Sequence, residues 1–205
     1  MKPKILLTVG LAMVAGLGIA STPAVRGCED LMQYGAVMEA LPTAQLNLAD
    51  AISSAPTTAP ETPIAARFEM DDNGQLVLSV CTAELGLSVG AESNNFREIS
   101  GGAESQEWCP ECNYLTDAQR LSQAAEQLTL MSVSPFSLLD ILKKAERDQS
   151  GIPFSITPVV RDRKAEFLVL VAEVDRVVRL HYDLMTGALE QPQEAPAVLS
   201  LRPAP

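Results

Sequence analysis

Two cysteines, Cys109 and Cys112, stand with two residues between them near the middle of the chain. Thiols at this spacing can close a short disulfide, exchange with other disulfides, or supply two ligands to a zinc ion. A zinc site would take Cys28 and Cys81 as its other ligands, whereas a typical zinc module supplies a second close pair. Covalent haem is excluded, because Asn113 stands where the attachment motif needs a histidine.

The residues around this pair favour a disulfide over a redox site. Trp108 and the pair together resemble the active site of thioredoxins, in which the motif follows a buried strand and opens a helix. The positive N-terminus of that helix lowers the pKa of the first thiol. Residues 101–107 are small or polar and predict no buried strand, and the next helix is predicted to begin at Thr116. We therefore predict that Cys109 and Cys112 form a disulfide in a linker.

The chain has four cysteines in all, Cys28, Cys81, Cys109 and Cys112. An even number in an exported chain predicts two disulfides, with the connectivity left open. The alternatives for the close pair are a redox-active dithiol, a metal site, and cross-pairing with Cys28 and Cys81.

Other catalytic groups are sparse in this sequence. His181 is the only histidine, so a nucleophilic triad would have no other histidine to use as its base. The charged neighbours of His181 predict that its side chain is exposed. Asp71 and Asp72 fall in a turn, where aspartate is favoured by local hydrogen bonds. The sequence has neither a glycine-rich phosphate loop nor a dinucleotide-binding motif. We predict that the protein is not an enzyme and holds no cofactor or metal.

The first twenty residues have the pattern of a secretory signal peptide. Lys2 and Lys4 form a basic start, and residues 5–20 are uncharged, apolar and rich in glycine and alanine. This run is shorter than the roughly 20 apolar residues that a membrane anchor needs. We predict cleavage after Ala20 or Ala24, and a mature chain that is periplasmic or secreted and has no membrane span.

Cys28 offers a second possibility, attachment of the mature chain to a lipid. A glycine precedes this cysteine, and bacterial lipoprotein signals require a small residue there. Against this, Arg26 lies two positions before it, and the cysteine stands eight residues past the apolar run. The soluble form is therefore preferred.

The formal charge excludes nucleic acid as a partner. It is −11 for the whole chain, and removal of Lys2 and Lys4 with the signal peptide takes it to −13. Nucleic-acid affinity comes mainly from cationic contacts to phosphate, which such a surface repels. A cationic protein or peptide would be attracted instead. The simpler alternative is that the acidity only keeps an exported protein soluble.

The chain contains an internal repeat with a shift of 90 residues. Residues 46–55 and 136–145 both place apolar residues at helical spacing, with Asp50 and Asp140 in equivalent positions. Applied without a gap, the same shift aligns Pro63 with Pro153, Asp72 with Asp162, Leu78 with Leu168 and Val80 with Leu170. Each copy is predicted to run in the order helix, proline-marked loop, strand, polar turn, strand, strand.

Local sequence chemistry indicates where the strands lie. An Asn-Gly turn within residues 71–75 is typical of a tight hairpin, and the β-rich residues 76–83 follow it. Residues 161–166 are predicted to form the matching turn before a strand over 167–174. In the last strand, residues 176–184, alternation predicts that Val178, Leu180 and Tyr182 face the core.

These elements predict an α+β protein of two tandem repeats, each a helix or helical hairpin packed on one face of a small antiparallel sheet. Thr116, with Gln119 three residues on, is predicted to cap the helix that opens the second repeat. The prolines of the tail are predicted to prevent it from continuing a sheet. The predicted segments are a signal peptide over 1–20, a first repeat over 29–102, a linker over 103–115, a second repeat over 116–191, and a proline-rich tail over 192–205.

The second repeat resembles a PepSY domain. Residues 141–190 follow that family's pattern of a helix with an alanine-rich end, a strand, and a strand that closes in Asp-x-x-Thr-Gly before one more short strand. Asp183, Thr186 and Gly187 match this ending as they stand. The first copy departs from it, because residues 96–102 (FREISGG) lack the aspartate, and it is similar to a degenerate PepSY repeat.

The resemblance implies binding or regulation outside the cytoplasm. PepSY modules occur as propeptide parts of thermolysin-like peptidases and as small exported proteins, and they are thought to inhibit or regulate peptidases or to bind a partner. No catalytic residue belongs to the motif, so Asp183, Thr186 and Gly187 are expected to form a turn. The expected partner is a peptidase or another envelope protein. The alternative from a different class is an extracytoplasmic thiol-disulfide oxidoreductase that uses Cys109 and Cys112.

Overall fold

The computed structural model describes residues 34–55 and 60–190, together with the backbone of Gln193–Glu194. The predicted signal peptide, Cys28 and the rest of the proline-rich tail lie outside the described residues.

The described chain contains four α-helices and eight strands. The helices are α1 over residues 34–40, α2 (Leu48–Ser54), α3 (Ala118–Val133) and α4 (Leu138–Asp148). Short 3-10 turns lie at Leu41–Thr43 and Ala91–Ser93. The strands are β1 (Thr62–Met70), β2 (Leu76–Ala83), β3 (Phe96–Gly102), β4 (Glu111–Tyr114), β5 (Ile152–Arg161), β6 (Lys164–Ala172), β7 (Val177–Asp183) and β8 (Gln193–Glu194).

All eight strands belong to a single antiparallel sheet. Their order is β4-β3-β2-β1-β5-β6-β7-β8, so the strands of the two predicted repeats lie side by side. The halves join where Ala66 pairs with Ile156 and Arg67 with Ser155. The prediction of an α+β fold with antiparallel strands is confirmed. The two small sheets expected from the sequence are instead one sheet, because the first strands of both halves pair with each other.

One face of the sheet carries the main hydrophobic core. Pairing places Ile99, Val80, Ala66, Ile156, Val169 and Leu180 in one row, and none is more than 2% exposed. The predicted inward face of β7 is confirmed, since Val178 and Tyr182 are also buried. The Tyr182 hydroxyl donates to Asp148 Oδ2 of α4 at 3.0 Å, so α4 lies on this face. Helix α2 contacts α4, β1 and β2.

Helix α3 lies over the opposite face, although the sequence predicted helices on one face only. Cys81 and Glu98 are cross-strand partners there, and Arg120 of α3 donates to the Glu98 carboxylate. Ala124 and Gln127 of α3 also line a small cavity of about 30 Å³ beside Cys81. The middle of the sheet is therefore covered on both faces.

The helices begin at side chains that cap their free backbone N–H groups. Ser137 and Asp140 form a reciprocal capping box at α4, and the side chain of Asn47 accepts the Asp50 N–H at α2. The predicted cap of α3 was wrong by one residue. Asp117 rather than Thr116 is the N-cap, because its carboxylate accepts the Arg120 N–H.

The two central hairpins differ in length, which changes the alignment of the repeats. In the first turn, residues 71–75, the Asp71 carboxylate accepts the N–H groups of Asn73 and Gln75. The second turn has only two residues between the paired Arg161 and Lys164. When the two repeats are compared, Val80 is therefore equivalent to Val169. The gap-free match of Val80 with Leu170 was wrong by one residue.

Three further segments differ from the sequence predictions. Pro63 and Pro153 lie inside β1 and β5, each beside a β-bulge, instead of in loops. Glu111–Tyr114, within the predicted linker, forms the edge strand β4. Gln193–Glu194 of the tail pairs with β7, so the tail does extend the sheet by two residues.

Candidate functional site

Cys112 lies in the edge strand of the sheet, and Cys109 lies two residues before that strand begins. Cys112 belongs to β4 and pairs with Ile99, and residues 108–110 before it have neither a turn nor a bend. At about 3.3 Å per residue, two positions three apart in extended chain have Cα atoms roughly 10 Å apart. A disulfide needs a Cα separation of about 4.4–6.8 Å. The predicted bridge is not formed in this structure for that reason.

The three cysteines in the described part of the chain are free thiols: Cys81, Cys109 and Cys112. Cys81 pairs with Glu98 and Cys112 with Ile99, the next residue along β3, so their side chains lie on opposite faces of the sheet. A bond between Cys81 and Cys112 would have to pass through the sheet. Any pairing with Cys28 stays a prediction, because Cys28 lies outside the described residues.

The half-buried thiol of Cys81 is unreactive at neutral pH. Burial, and after it the negative charge of Glu98, raise its pKa to about 12. The neutral thiol therefore dominates at neutral pH, and a neutral thiol is a poor nucleophile and metal ligand. Within the described residues no group of three or more histidine, cysteine, aspartate or glutamate side chains could hold a metal ion.

Cys112 contacts a charged cluster that the sequence did not predict. The Arg97 Nε donates to Cys112 Sγ at 2.9 Å and lies 3.5 Å from Glu61 Oε1. The same guanidinium lies 3.7 Å from Glu84 and 5.9 Å from the centre of the Tyr114 ring. We call these five residues the Arg97 cluster. They come from four separate segments, so no local motif could have indicated the cluster.

Hydrogen bonds and neighbouring charges keep Glu84 and Arg97 of this cluster charged. The Glu61 carboxylate is buried and accepts the Thr82 hydroxyl at 2.6 Å. Hydrogen bonds from Asn95 and then Tyr114 lower the pKa of Glu84. For Arg97, burial would lower the pKa, but the hydrogen bond to Cys112 and the charge of Glu61 outweigh it and raise the pKa. A fixed cation thus lies next to the Cys112 thiol.

Trp108 packs against the sheet beside the cysteine pair. A Cβ atom on Gly101 of β3 would lie 2.8 Å from Trp108 Nε1 and 3.1 Å from the Pro110 Cα, so only glycine leaves room for the ring. The indole N–H is buried and has no hydrogen-bond partner within the described residues. No helix begins at the pair, since α3 starts at Ala118. The site therefore lacks the helix N-terminus that lowers the pKa of a thioredoxin cysteine.

His181 is buried, so the prediction that it is exposed was wrong. Its side chain is 3% exposed, and Nδ1 lies 2.8 Å from Glu166 Oε1. Arg161 Nε donates to the same carboxylate oxygen at 2.8 Å. Among the described residues, His181 Nε2 has no hydrogen-bond partner, so none of their hydroxyl or thiol groups is placed as a nucleophile for it. Both faces of β7 are covered, which alternation along one strand does not reveal.

The residues that resemble the PepSY ending, Asp183, Thr186 and Gly187, form a tight turn after β7. Asp183 Oδ1 accepts the Met185 N–H at 3.1 Å, the Thr186 N–H at 2.8 Å and the Thr186 hydroxyl at 2.8 Å. Gly187 has a φ of 59°, and its carbonyl accepts a hydrogen bond from Lys144 Nζ at 2.8 Å. The hydrogen bonds from Thr186 lower the pKa of Asp183.

We expect Asp183→Ala to lower the free energy of unfolding by about 1 kcal/mol at pH 7, because a carboxylate in solvent contributes modestly through such bonds. The folded pKa of Asp183 lies below the usual aspartate pKa of 3.8, so its contribution to stability is present above that pH. The contribution is lost as the pH falls through the folded pKa. Urea unfolding at pH 7 and at pH 2 measures this difference.

Asp175→Ala is the matched control, because this exposed aspartate in the β6–β7 loop has no side-chain hydrogen bond within the described chain. Its effect is expected to stay below about 0.5 kcal/mol. An effect of Asp183→Ala that is equally small at pH 7, or that does not shrink at pH 2, contradicts the assigned role.

Comparisons with known proteins are sparse. No protein-family model matches the chain, and no curated protein matches it. Among solved structures, the chain is similar to one described as a "putative lipoprotein" from Clostridium difficile 630, with 14% sequence identity and a TM-score of 0.40. The match covers 74% of this chain and 94% of that one. Within the described residues, none of the helices has the length and apolar character needed to cross a membrane.

Proposed function

We propose that this chain is an exported, non-enzymatic binding or regulatory protein built of two PepSY-like repeats. The observation that carries the proposal is the matched placement of local features. The caps of α2 and α4, Asn47 and Ser137, are 90 residues apart, and so are the bulged prolines Pro63 and Pro153. The repeats span residues 29–102 and 116–191, and the second ends in the Asp183 turn.

The proposed partner is an extracytoplasmic peptidase or another envelope protein, which the chain inhibits or modulates. Its formal charge of −11 supports a partner with a positive surface and disfavours nucleic acid. Turn formation accounts for the family residues without any catalytic role, because Asp183 and Thr186 bond to each other and to the local backbone.

The proposal is tested by capturing partner proteins from the cell envelope and then measuring their binding to the chain with purified proteins. The tagged mature chain, residues 21–205, is incubated with the native cell envelope, with and without an added peptidase, and captured proteins are identified by mass spectrometry. Each is then purified and mixed with the chain alone. We expect one partner to bind in this binary assay, and a peptidase partner to change its turnover in proportion to the added chain. Failure of every captured protein to bind in the binary assay contradicts the proposal.

The proposed location is periplasmic or secreted, in agreement with the basic and apolar start of the sequence. Mass spectrometry of the exported protein is expected to find a mature N-terminus at Ser21 or Val25. A lipid-modified Cys28 at the N-terminus would establish the anchored form instead.

A thiol-disulfide oxidoreductase is the second candidate, and the hydrogen bond from Arg97 to Cys112 favours it. A cation beside a thiol stabilises the thiolate that exchanges with disulfides. Insulin reduction by the mature chain is the assay, with Cys109→Ser as the comparison. We expect no turnover above background from either protein. Rapid turnover that Cys109→Ser abolishes would favour the oxidoreductase over the binding protein.

A further inference from the structure

A groove opens at one end of the sheet, and neither the sequence motifs nor the family turn accounts for it. Its walls are residues 35–42 of α1 and the following turn, residues 150–152 before and at the start of β5, and residues 172–176 of the β6–β7 hairpin. The space between them is about 1000 Å³. We call it the end groove. Its size is at the upper limit of ordinary ligand sites, which hold a few side chains.

The floor of the end groove is apolar. Leu41 and Ala172 are buried beneath it, Met38 is half-buried, and Ile152 is 44% exposed. Val174, at the tip of the hairpin, is fully exposed. A single exposed valine is ordinary, but apolar side chains gathered in a concave surface indicate an interaction site.

Glu173 links the hairpin wall of the groove to Arg176 and Ser150 by hydrogen bonds. Its carboxylate accepts hydrogen bonds from Arg176 Nε at 2.6 Å and from the Ser150 hydroxyl at 3.2 Å, and its N–H donates to the Arg176 carbonyl. The hydrogen bond from Arg176 lowers the pKa of Glu173, so this carboxylate stays ionised. Groove walls fixed before binding lose less conformational entropy when a partner arrives.

The rim of the groove is acidic. Glu39 and Asp175 are exposed, and within the described residues neither side chain makes an ion pair or hydrogen bond. Arg176 also lies at the rim, but its guanidinium is bonded to Glu173. The groove therefore presents two uncompensated carboxylates beside an apolar floor.

We infer that the end groove binds a basic segment of a partner protein that carries a large apolar side chain. The apolar side chain would pack between Ile152 and Val174, and a lysine or arginine on each side of it would face Glu39 and Asp175. Charge complementarity argues for this occupant, because the chain as a whole is also strongly acidic. The inference deepens the proposed function by naming the surface and the chemistry of the partner.

The first experiment is an NMR titration of the isotope-labelled mature chain with a seven-residue peptide that alternates lysine with leucine or phenylalanine. We expect saturable amide shifts concentrated at residues 38–42, 150–152 and 172–176, and weakening of binding as salt is added. Two comparison peptides keep the length: one replaces every lysine with glutamate, and one replaces every apolar residue with serine. Each is expected to bind at least tenfold more weakly.

Variants of the chain separate the groove from the rest of the surface. Val174→Asp, and the double charge reversal Glu39→Lys with Asp175→Lys, are expected to weaken binding of the basic peptide at least tenfold. Two controls carry matched changes elsewhere. Val160→Asp alters an exposed valine at the opposite end of β5, and Glu146→Lys reverses an exposed charge on α4. Both are expected to stay within twofold of the unaltered chain.

Six outcomes overturn the inference. The peptide could fail to bind, could bind with shifts centred outside the groove, or could bind the groove variants as well as the controls. Nuclear Overhauser contacts between residues 21–33 and the groove would show that the chain fills the groove itself. If the chain dimerises with increasing concentration and Val174→Asp abolishes this dimerisation, a second copy of the chain occupies the groove. If a partner from the capture experiment binds both groove variants undiminished, the groove inference fails while the proposed function stands.

Discussion

Gly151→Ala is expected to lower the free energy of unfolding by about 3 kcal/mol. Gly151 has a φ of +119°, which side chains other than glycine rarely adopt, at a cost of roughly 1–2 kcal/mol. A Cβ atom would also lie 2.4 Å from the Ala172 carbonyl oxygen and 2.9 Å from Val171 Cγ1. Relief of such overlap typically costs a further 1–3 kcal/mol or so. Urea unfolding followed by circular dichroism measures the change.

Gly35→Ala is the control for this prediction. Gly35 lies within α1, and nothing approaches within 4 Å of the position of a Cβ atom there. Alanine favours helix over glycine by about 1 kcal/mol, so this variant is expected to be unchanged or more stable. Equal losses in the two variants, or no loss in Gly151→Ala, would contradict the backbone geometry at the start of β5.

Glu166→Ala is expected to lower the free energy of unfolding by about 3 kcal/mol, the cost typical of breaking a buried polar pair. Glu166 and His181 have side chains only 2% and 3% exposed, so loss of the carboxylate leaves the imidazole without its partner in the interior. Replacement of both residues, Glu166→Leu with His181→Phe, removes both buried polar groups. This double variant is expected to recover most of the loss, because Arg161 is 40% exposed and water can solvate it.

Glu190→Ala provides the matched control for Glu166→Ala. Glu190 pairs with Lys164 at 2.9 Å, but the two side chains are 36% and 65% exposed, and such surface pairs contribute little. The expected loss is below about 0.5 kcal/mol. If Glu166→Ala costs no more than Glu190→Ala, the buried pair does not stabilise the fold as described.

Strands were predictable where local chemistry decides them. The residues after the Asn73-Gly74 turn were predicted as a strand over 76–83, and β2 is Leu76–Ala83. Alternation in β7 gave its buried face correctly. It placed His181 on an exposed face, which is wrong, because alternation in one strand does not show whether the other face is covered as well. That cover depends on contacts between residues far apart in sequence.

The joining of the two halves and the geometry at the cysteines could not be predicted for similar reasons. Repeats with matching strands are compatible with two sheets or one, and the pairing of Ala66 with Ile156 spans 90 residues. The spacing of Cys109 and Cys112 does not fix the backbone between them. Here Cys112 lies in the edge strand β4 and both thiols are free, whereas a turn between them would have brought them together.

The most direct test of the binding role is the affinity of the chain for its captured partner, measured with purified proteins for the unaltered mature chain and for the double variant Cys109→Ser with Cys112→Ser. A binding protein that makes no catalytic use of these thiols is expected to give the same dissociation constant in both cases, within about twofold, and no turnover of insulin disulfides. Loss of partner binding in the double variant, accompanied by insulin reduction in the unaltered chain, would contradict the non-enzymatic account.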